Sequence, residues 1–88
     1  MNETIEKVIT IFRKRRDVNS DKTYESLLAY GIDPDSIQTI YSNESPALFT
    51  FFGVHKTPTV LCFTNGEETK RLIGNGEINT DTLIQFLK

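Results

Sequence analysis

One run, Thr57-Pro58-Thr59-Val60-Leu61-Cys62-Phe63-Thr64-Asn65-Gly66, constrains the fold more than any other part of the chain. β-Branched and aromatic residues dominate it, and its single proline stands near the start, where a strand tolerates a missing N–H. The apolar residues are continuous rather than alternating, which calls for cover on both faces of a sheet. Asn65-Gly66 then supplies two residues that accept positive φ, as a type I′ hairpin turn requires. Glu67–Ile73 returns as a more polar, edge-like strand. A lone hairpin is marginally stable, and a strand buried on both faces needs neighbours. The remaining residues must therefore supply further strands and helices for both faces.

Three helices are legible. Ile78 and Asn79 form a helix entry, with Asn79 as cap and Ile78 packing on Leu83 as a hydrophobic staple; Leu83, Ile84 and Leu87 make the inward stripe. Tyr24, Leu27 and Leu28 share a face closed by Gly31 and Ile32, and Ser20 or Asp21 can cap that helix. Leu48, Phe49 and Phe52 repeat the pattern before Gly53 and Val54. Both endings suit a left-handed glycine stop with an apolar contact just beyond it. Ser45-Pro46 opens the second of these, with proline where its missing N–H costs nothing. Two segments fit two patterns. Residues 8–12 are β-branched, yet Ile5, Val8, Ile9 and Phe12 also keep helical spacing. Asp33-Pro34-Asp35-Ser36 either caps a helix through Tyr41 or turns into a strand over 37–42. Because the central strand needs partners, both are assigned as strands, at 8–12 and 37–41. The order becomes β-α-β-α-β-β-α in one α/β domain over residues 1–88.

Composition narrows the chemistry. Leu, Ile, Val and Phe make 26 of 88 residues, about 30% and clear of the roughly 20% below which chains tend to stay disordered. Ten Lys and Arg against twelve Asp and Glu give a net charge of −2, so no overall field draws the chain to nucleic acid or an anionic membrane. No apolar run approaches the roughly 20 residues of a membrane span, and the polar N-terminus reads as no signal peptide. A cytoplasmic protein is the expectation. With one cysteine and one histidine, an internal disulfide, a cysteine-based zinc site and any C-x-x-C redox pair are excluded. No metal or cofactor is expected.

The run from Phe52 through Gly53-Val54-His55-Lys56-Thr57-Pro58-Thr59-Val60 to Phe63-Thr64-Asn65-Gly66-Glu67 resembles the thioredoxin/glutaredoxin superfamily. There a helix and short loop lead to a strand opened by a cis-proline, followed by its hairpin. Arg71-Leu72-Ile73-Gly74 is similar to the end of the family's last strand, and Ile9-Thr10-Ile11-Phe12-Arg13-Lys14 to a first strand of glutaredoxin type. Specific motifs are confined to residues 52–74. The resemblance implies a mixed four-stranded sheet with helices on both faces and a cis Thr57–Pro58 bond. In relatives the loop after the first strand carries C-x-x-C at a helix N-terminus, where the dipole and free N–H groups lower a thiol pKa and a second thiol resolves the mixed disulfide. The matching window here is Asp17-Val18-Asn19-Ser20. Dithiol chemistry is absent whichever way the alignment slides. Cys62, in mid-strand between Leu61 and Phe63, reads as a small buried hydrophobe.

Two features remain that could bind. The resemblance implies that Thr57-Pro58 leaves a backbone N–H and C=O free to pair with an extended peptide or glutathione. Arg13-Lys14-Arg15-Arg16 leaves the first strand at the same end of the sheet, where open α/β sheets place ligands. Lys14 falls where glutaredoxins often place a lysine that contacts the glutathione carboxylate. With Asp17, Ser20, Lys56 and Gly74 these residues form the candidate site, set against the plain reading of a solvated loop. Phe49 and Phe52 fit the buried stripe, and Phe51 lies off it as a possible anchor for a partner or dimer. Nucleic acid is not the expected partner, since basic and aromatic residues do not interleave. The expectation is a redox-inactive protein-binding adaptor or regulator of unknown partner. A glutathione or small-anion binder is the alternative, and a homodimer is open.

Overall fold

A computed structural model describes residues 6–88. Four strands, β1 (Lys7–Arg13), β2 (Ile37–Tyr41), β3 (Thr59–Thr64) and β4 (Glu67–Ile73), form one sheet in the order β2-β1-β3-β4. β1 and β2 run parallel, and the β1–β3 and β3–β4 pairs are antiparallel. The parallel pair is joined by helix α1 (Val18–Ala29), and β2 reaches β3 through α2 (Pro46–Phe51). A short turn of helix, α3 (Gly74–Glu77), and α4 (Thr80–Phe86) follow β4. Both ambiguous segments are strands: β1 is the partner that β3 requires, and β2 pairs with the other edge of β1 rather than with β3.

Side-chain alternation divides the core into two layers. Ile9 and Ile11 of β1, Ile37 of β2, and Val60 and Cys62 of β3 pack with Leu27 of α1 and with Leu83 and Phe86 of α4. Phe12 and Leu61 point the other way, onto Val54 and the half-buried Phe49 and Phe52 of the α2 region. Phe12 lies edge-on to Phe49 and Phe52, with centroids 5.1 and 5.8 Å apart, a favoured aromatic geometry. Phe51 is 78% exposed.

Local chemistry accounts for the boundaries. Asn65 and Gly66 have φ of 52° and 84°, which makes the I′ turn between β3 and β4. α1 ends with Ile32 N–H donating to Leu27 C=O and Gly31 N–H to Leu28 C=O; α2 ends with the same pair, Val54 to Phe49 and Gly53 to Thr50. These double bonds are the Schellman stop, and glycine takes its left-handed position. Asn79 and Thr82 cap α4 reciprocally, and Ile78 joins Leu83 in the core.

Three details differ from the sequence reading. α1 begins at Val18, capped by Asp17 rather than by Ser20 or Asp21, because an extended Asp17 can reach the Ser20 N–H inside the first turn. β3 begins at Thr59, not Thr57, since its pairing with β1 starts at Phe12 and Thr59. On α4 the buried residues are Leu83 and Phe86, while Ile84 is 40% exposed. The larger aromatic fills the sheet contact and turns Ile84 outward.

Candidate functional site

The register brings the predicted residues to one end of the sheet. β1 and β2 end together at the Arg13–Tyr41 pair, β3 starts at Thr59 opposite Phe12, and β4 ends at Ile73 opposite Thr59. The β1–α1 loop, Thr57-Pro58 and Gly74 therefore adjoin, and the Gly74 N–H donates to Pro58 C=O at 2.8 Å. The Thr57–Pro58 peptide is cis. Pro58 is buried and Thr57 half-buried. Among the described residues no hydrogen bond reaches the Thr57 N–H or C=O. Thr59 Oγ1 donates to Lys56 C=O at 2.6 Å and fixes the loop just before it. Gly74 adopts φ +67°, and a Cβ there would meet the Lys56 stem at 3.4 Å, so this corner accepts a side chain poorly.

Asp17 and Ser20 stand at the N-terminus of α1, just beyond the β1–α1 loop. Asp17 is the N-cap of α1, and its Oδ2 accepts from the Ser20 N–H at 3.3 Å and from Ser20 Oγ at 2.6 Å. Ser20 is fully buried, and its Oγ accepts from the Lys14 N–H at 3.3 Å. The hydroxyl is thus engaged on both sides, and the carboxylate faces the positive end of the helix. This closed network orders the loop and presents neither a thiolate nor a free nucleophile. Cys62 is 3% exposed within β3 and contributes to the core.

The basic run is not one uniform patch. Arg13 is folded in, its side chain 12% exposed, with Nη2 donating to Asp21 at 2.7 Å and its guanidinium 4.6 Å from the Tyr24 ring centroid and 5.3 Å from that of Tyr41. Its Nε is buried without a partner among the described residues. Arg15 lies 4.0 Å over the Tyr41 ring and bonds Glu44, whose hydrogen bond raises the Arg15 pKa above its ordinary value. Lys14 and Arg16 are exposed, and neither makes an ion pair among the described residues. Arg16 sits at φ +60°, which turns the chain out of β1 toward the Asp17 cap. Sequence reasoning named Asp21 only as a cap candidate and Tyr24 only as part of a buried face, and gave Tyr41 and Glu44 no part in the site, because their contacts with Arg13 and Arg15 arise across the β1–β2 crossover, where no local spacing marks them.

The larger grooves lie elsewhere. One of about 500 Å³ runs between β4 and α4, along Lys70, Leu72 and Phe86. Another of about 310 Å³ opens on the α2 face, beside Val8, Phe52 and Phe63. Among the described residues no helix is long and apolar enough to cross a membrane, and no group of three or more His, Cys, Asp or Glu could hold a metal ion.

No family model and no curated protein matches the sequence. Solved structures do match in shape. The chain is similar to a thioredoxin from Malassezia sympodialis, at 15% identity and a TM-score of 0.73 over 92% of this chain and 71% of that one. It is similar to Trxlp from Edwardsiella tarda, at 22% identity and a TM-score of 0.73 over 93% and 82%. A mutant thioredoxin from Halobacterium salinarum aligns at 24% identity and a TM-score of 0.70 over 91% and 70%. With the sheet order, the helix positions and these likenesses together, this chain has the thioredoxin fold, and with a single cysteine it carries no C-x-x-C pair.

Proposed function

We propose that this protein is a redox-inactive thioredoxin-fold adaptor or regulator that binds an extended segment of another protein at the Thr57-Pro58 end of the sheet. One observation carries the reading. Asp17 and Ser20 bond each other where a thiol pair would stand, while the Thr57 peptide group beside them takes no hydrogen bond among the described residues. Such a free peptide group favours strand-like addition of a partner backbone, which is tolerant of sequence. Lys14 and Arg16 stand exposed at the same end and favour an acidic stretch in that partner. The larger grooves lie away from this end, which suits surface contact with a protein.

A photoreactive side chain at position 16 tests this, with one at position 84 on α4 as control. Cross-linking to a discrete partner from position 16 alone, lost in Lys14→Glu/Arg16→Glu, is the expected result. Cross-links from both positions, or binding unaffected by the double charge reversal, would reject it. Lys14, exposed and without an ion pair among the described residues, also supports a second reading as a binder of glutathione or another small anion. Calorimetric titration separates the two. Binding of glutathione in the tens-of-micromolar range, abolished by Lys14→Ala, would favour the second.

A further inference from the structure

The two edges of the sheet differ in kind. β4 carries Glu67, Glu68, Lys70 and Arg71, the charged edge that discourages pairing with another chain. β2, the opposite edge, reads Ile37-Gln38-Thr39-Ile40-Tyr41, with neither charge nor proline. Among the described residues no strand covers its outer side.

We propose that β2 pairs antiparallel with β2 of a second copy, about a two-fold axis through Thr39, to give a homodimer whose sheet is continuous across both protomers. In that register Thr39 faces its own equivalent, Ile37 faces the second copy's Tyr41, and Gln38 faces the second copy's Ile40. Such aromatic–β-branched and Thr–Thr pairs are favourable cross-strand neighbours. Ile37 belongs to the core layer under α1 and α4, and Ile40 to the layer under α2. The pairing therefore extends both layers past the edge.

Charge selects this partner and this direction. Before β2 stand Asp33 and Asp35, both exposed and without an ion pair among the described residues. Beside its other end stand Lys14, Arg15 and Arg16 against Glu44 and the capping Asp17, which leaves this end net basic; Arg15 bonds Glu44 and lies over Tyr41. Antiparallel pairing about Thr39 brings Asp35 opposite the second copy's Asn43, next to the Arg15–Glu44 pair. The acidic end of each copy meets the basic end of the other. A parallel alignment would set like charges together. The antiparallel arrangement also closes on itself, so both open edges are used and no fibre grows. Five paired residues make a small interface, so association should be weak and concentration-dependent.

This inference does not depend on the binding role above, because self-association is read on the purified protein. Sedimentation equilibrium from micromolar to about 1 mM should show a dimer fraction that rises with concentration. Thr39→Lys places two cations on the axis and should leave a folded monomer throughout, with an unchanged circular dichroism spectrum. Should Thr39→Lys lose that spectrum, exposed charges decide. Asp35→Lys and Arg16→Glu should each weaken self-association, and an equimolar mixture of the two should associate more strongly than either alone. A wild-type protein monomeric to about 1 mM, a dimer that a folded Thr39→Lys variant retains, or a mixture no stronger than its components would overturn the proposal.

Discussion

Asp17 carries more of the local order than any other polar residue of the loop. Its carboxylate caps α1 and holds the hydroxyl of the fully buried Ser20. Removing it withdraws a cap, typically about 1 kcal/mol, and strands a buried hydroxyl, about 1–3 kcal/mol. Asp17→Ala should therefore destabilise the protein by about 2 kcal/mol in urea unfolding, and Asp17→Asn by less, since an amide oxygen can still cap. The same pair measures how closely this loop matches its redox counterparts. Positions three apart in a first helical turn lie within reach of a disulfide, and a thiol at a helix N-terminus has a lowered pKa. Asp17→Cys/Ser20→Cys should accordingly form an internal disulfide on oxidation and accelerate reduction of insulin by dithiothreitol, an activity the parent should lack. A double variant that forms the bond yet accelerates nothing would show that the resemblance at this loop is geometric only.

The elements are joined by long polar side chains as well as by the core. Arg71 of β4 donates to Phe52 C=O at 2.7 Å, just past the end of α2, and grips Glu68 through Nε and Nη2 at 2.8 and 2.7 Å. A cation at a helix C-terminus also suits the dipole. The Arg71 hydrogen bond lowers the Glu68 pKa below its usual 4.5. A carboxylate depressed in the folded state adds stability that is fully present above the unfolded pKa and is lost as pH falls through the folded one. The stability gap between wild type and Glu68→Gln should thus be constant near neutrality and close below about pH 4.5. It should be small throughout, because the pair is partly exposed. Arg71→Ala should cost more, about 1–2 kcal/mol, since it also leaves the Phe52 carbonyl without its partner. Equal losses from the two variants would argue that the helix contact contributes nothing. Contacts of this kind also mark what the sequence conceals. The I′ turn, both glycine stops, the Asn79 cap and the β3–β4 hairpin were legible because each depends on neighbours in sequence, whereas β1 and β2 fitted two local patterns and were assigned only because β3 needs partners. Arg13 was not: read as part of a basic run, it folds between Tyr24, Tyr41 and Asp21, partners that only the β1–β2 crossover assembles. On α4 Leu83 and Leu87 face inward as read, but Phe86 takes the place expected for Ile84, because the two compete for one layer and only the sheet beneath decides between them.

Across the whole molecule, one atom reports on the cooperativity of both layers. The Cys62 thiol lies on β3, an interior strand flanked by β1 and β4, and packs in the layer formed with α1 and α4. Fraying of α2, or movement of the loops at the Thr57-Pro58 end, leaves it covered, so a reagent must wait for the sheet itself to open. A domain stable by about 5 kcal/mol or more should then label at least about 10³-fold more slowly folded than in denaturant, with a free-energy difference matching that from urea unfolding. A Cys62→Ser/Ile84→Cys variant, with its thiol at a position 40% exposed in the parent, should label at nearly the rate of a free thiol. If the dimer forms through β2, added protein concentration should slow labelling of Cys62 further, because association stabilises the folded state by mass action. Thr39→Lys should remove that dependence and leave the protection within each protomer. Rapid labelling of Cys62 with an intact circular dichroism spectrum would mean that β3 opens independently of the rest. The two layers would then not be one cooperative unit.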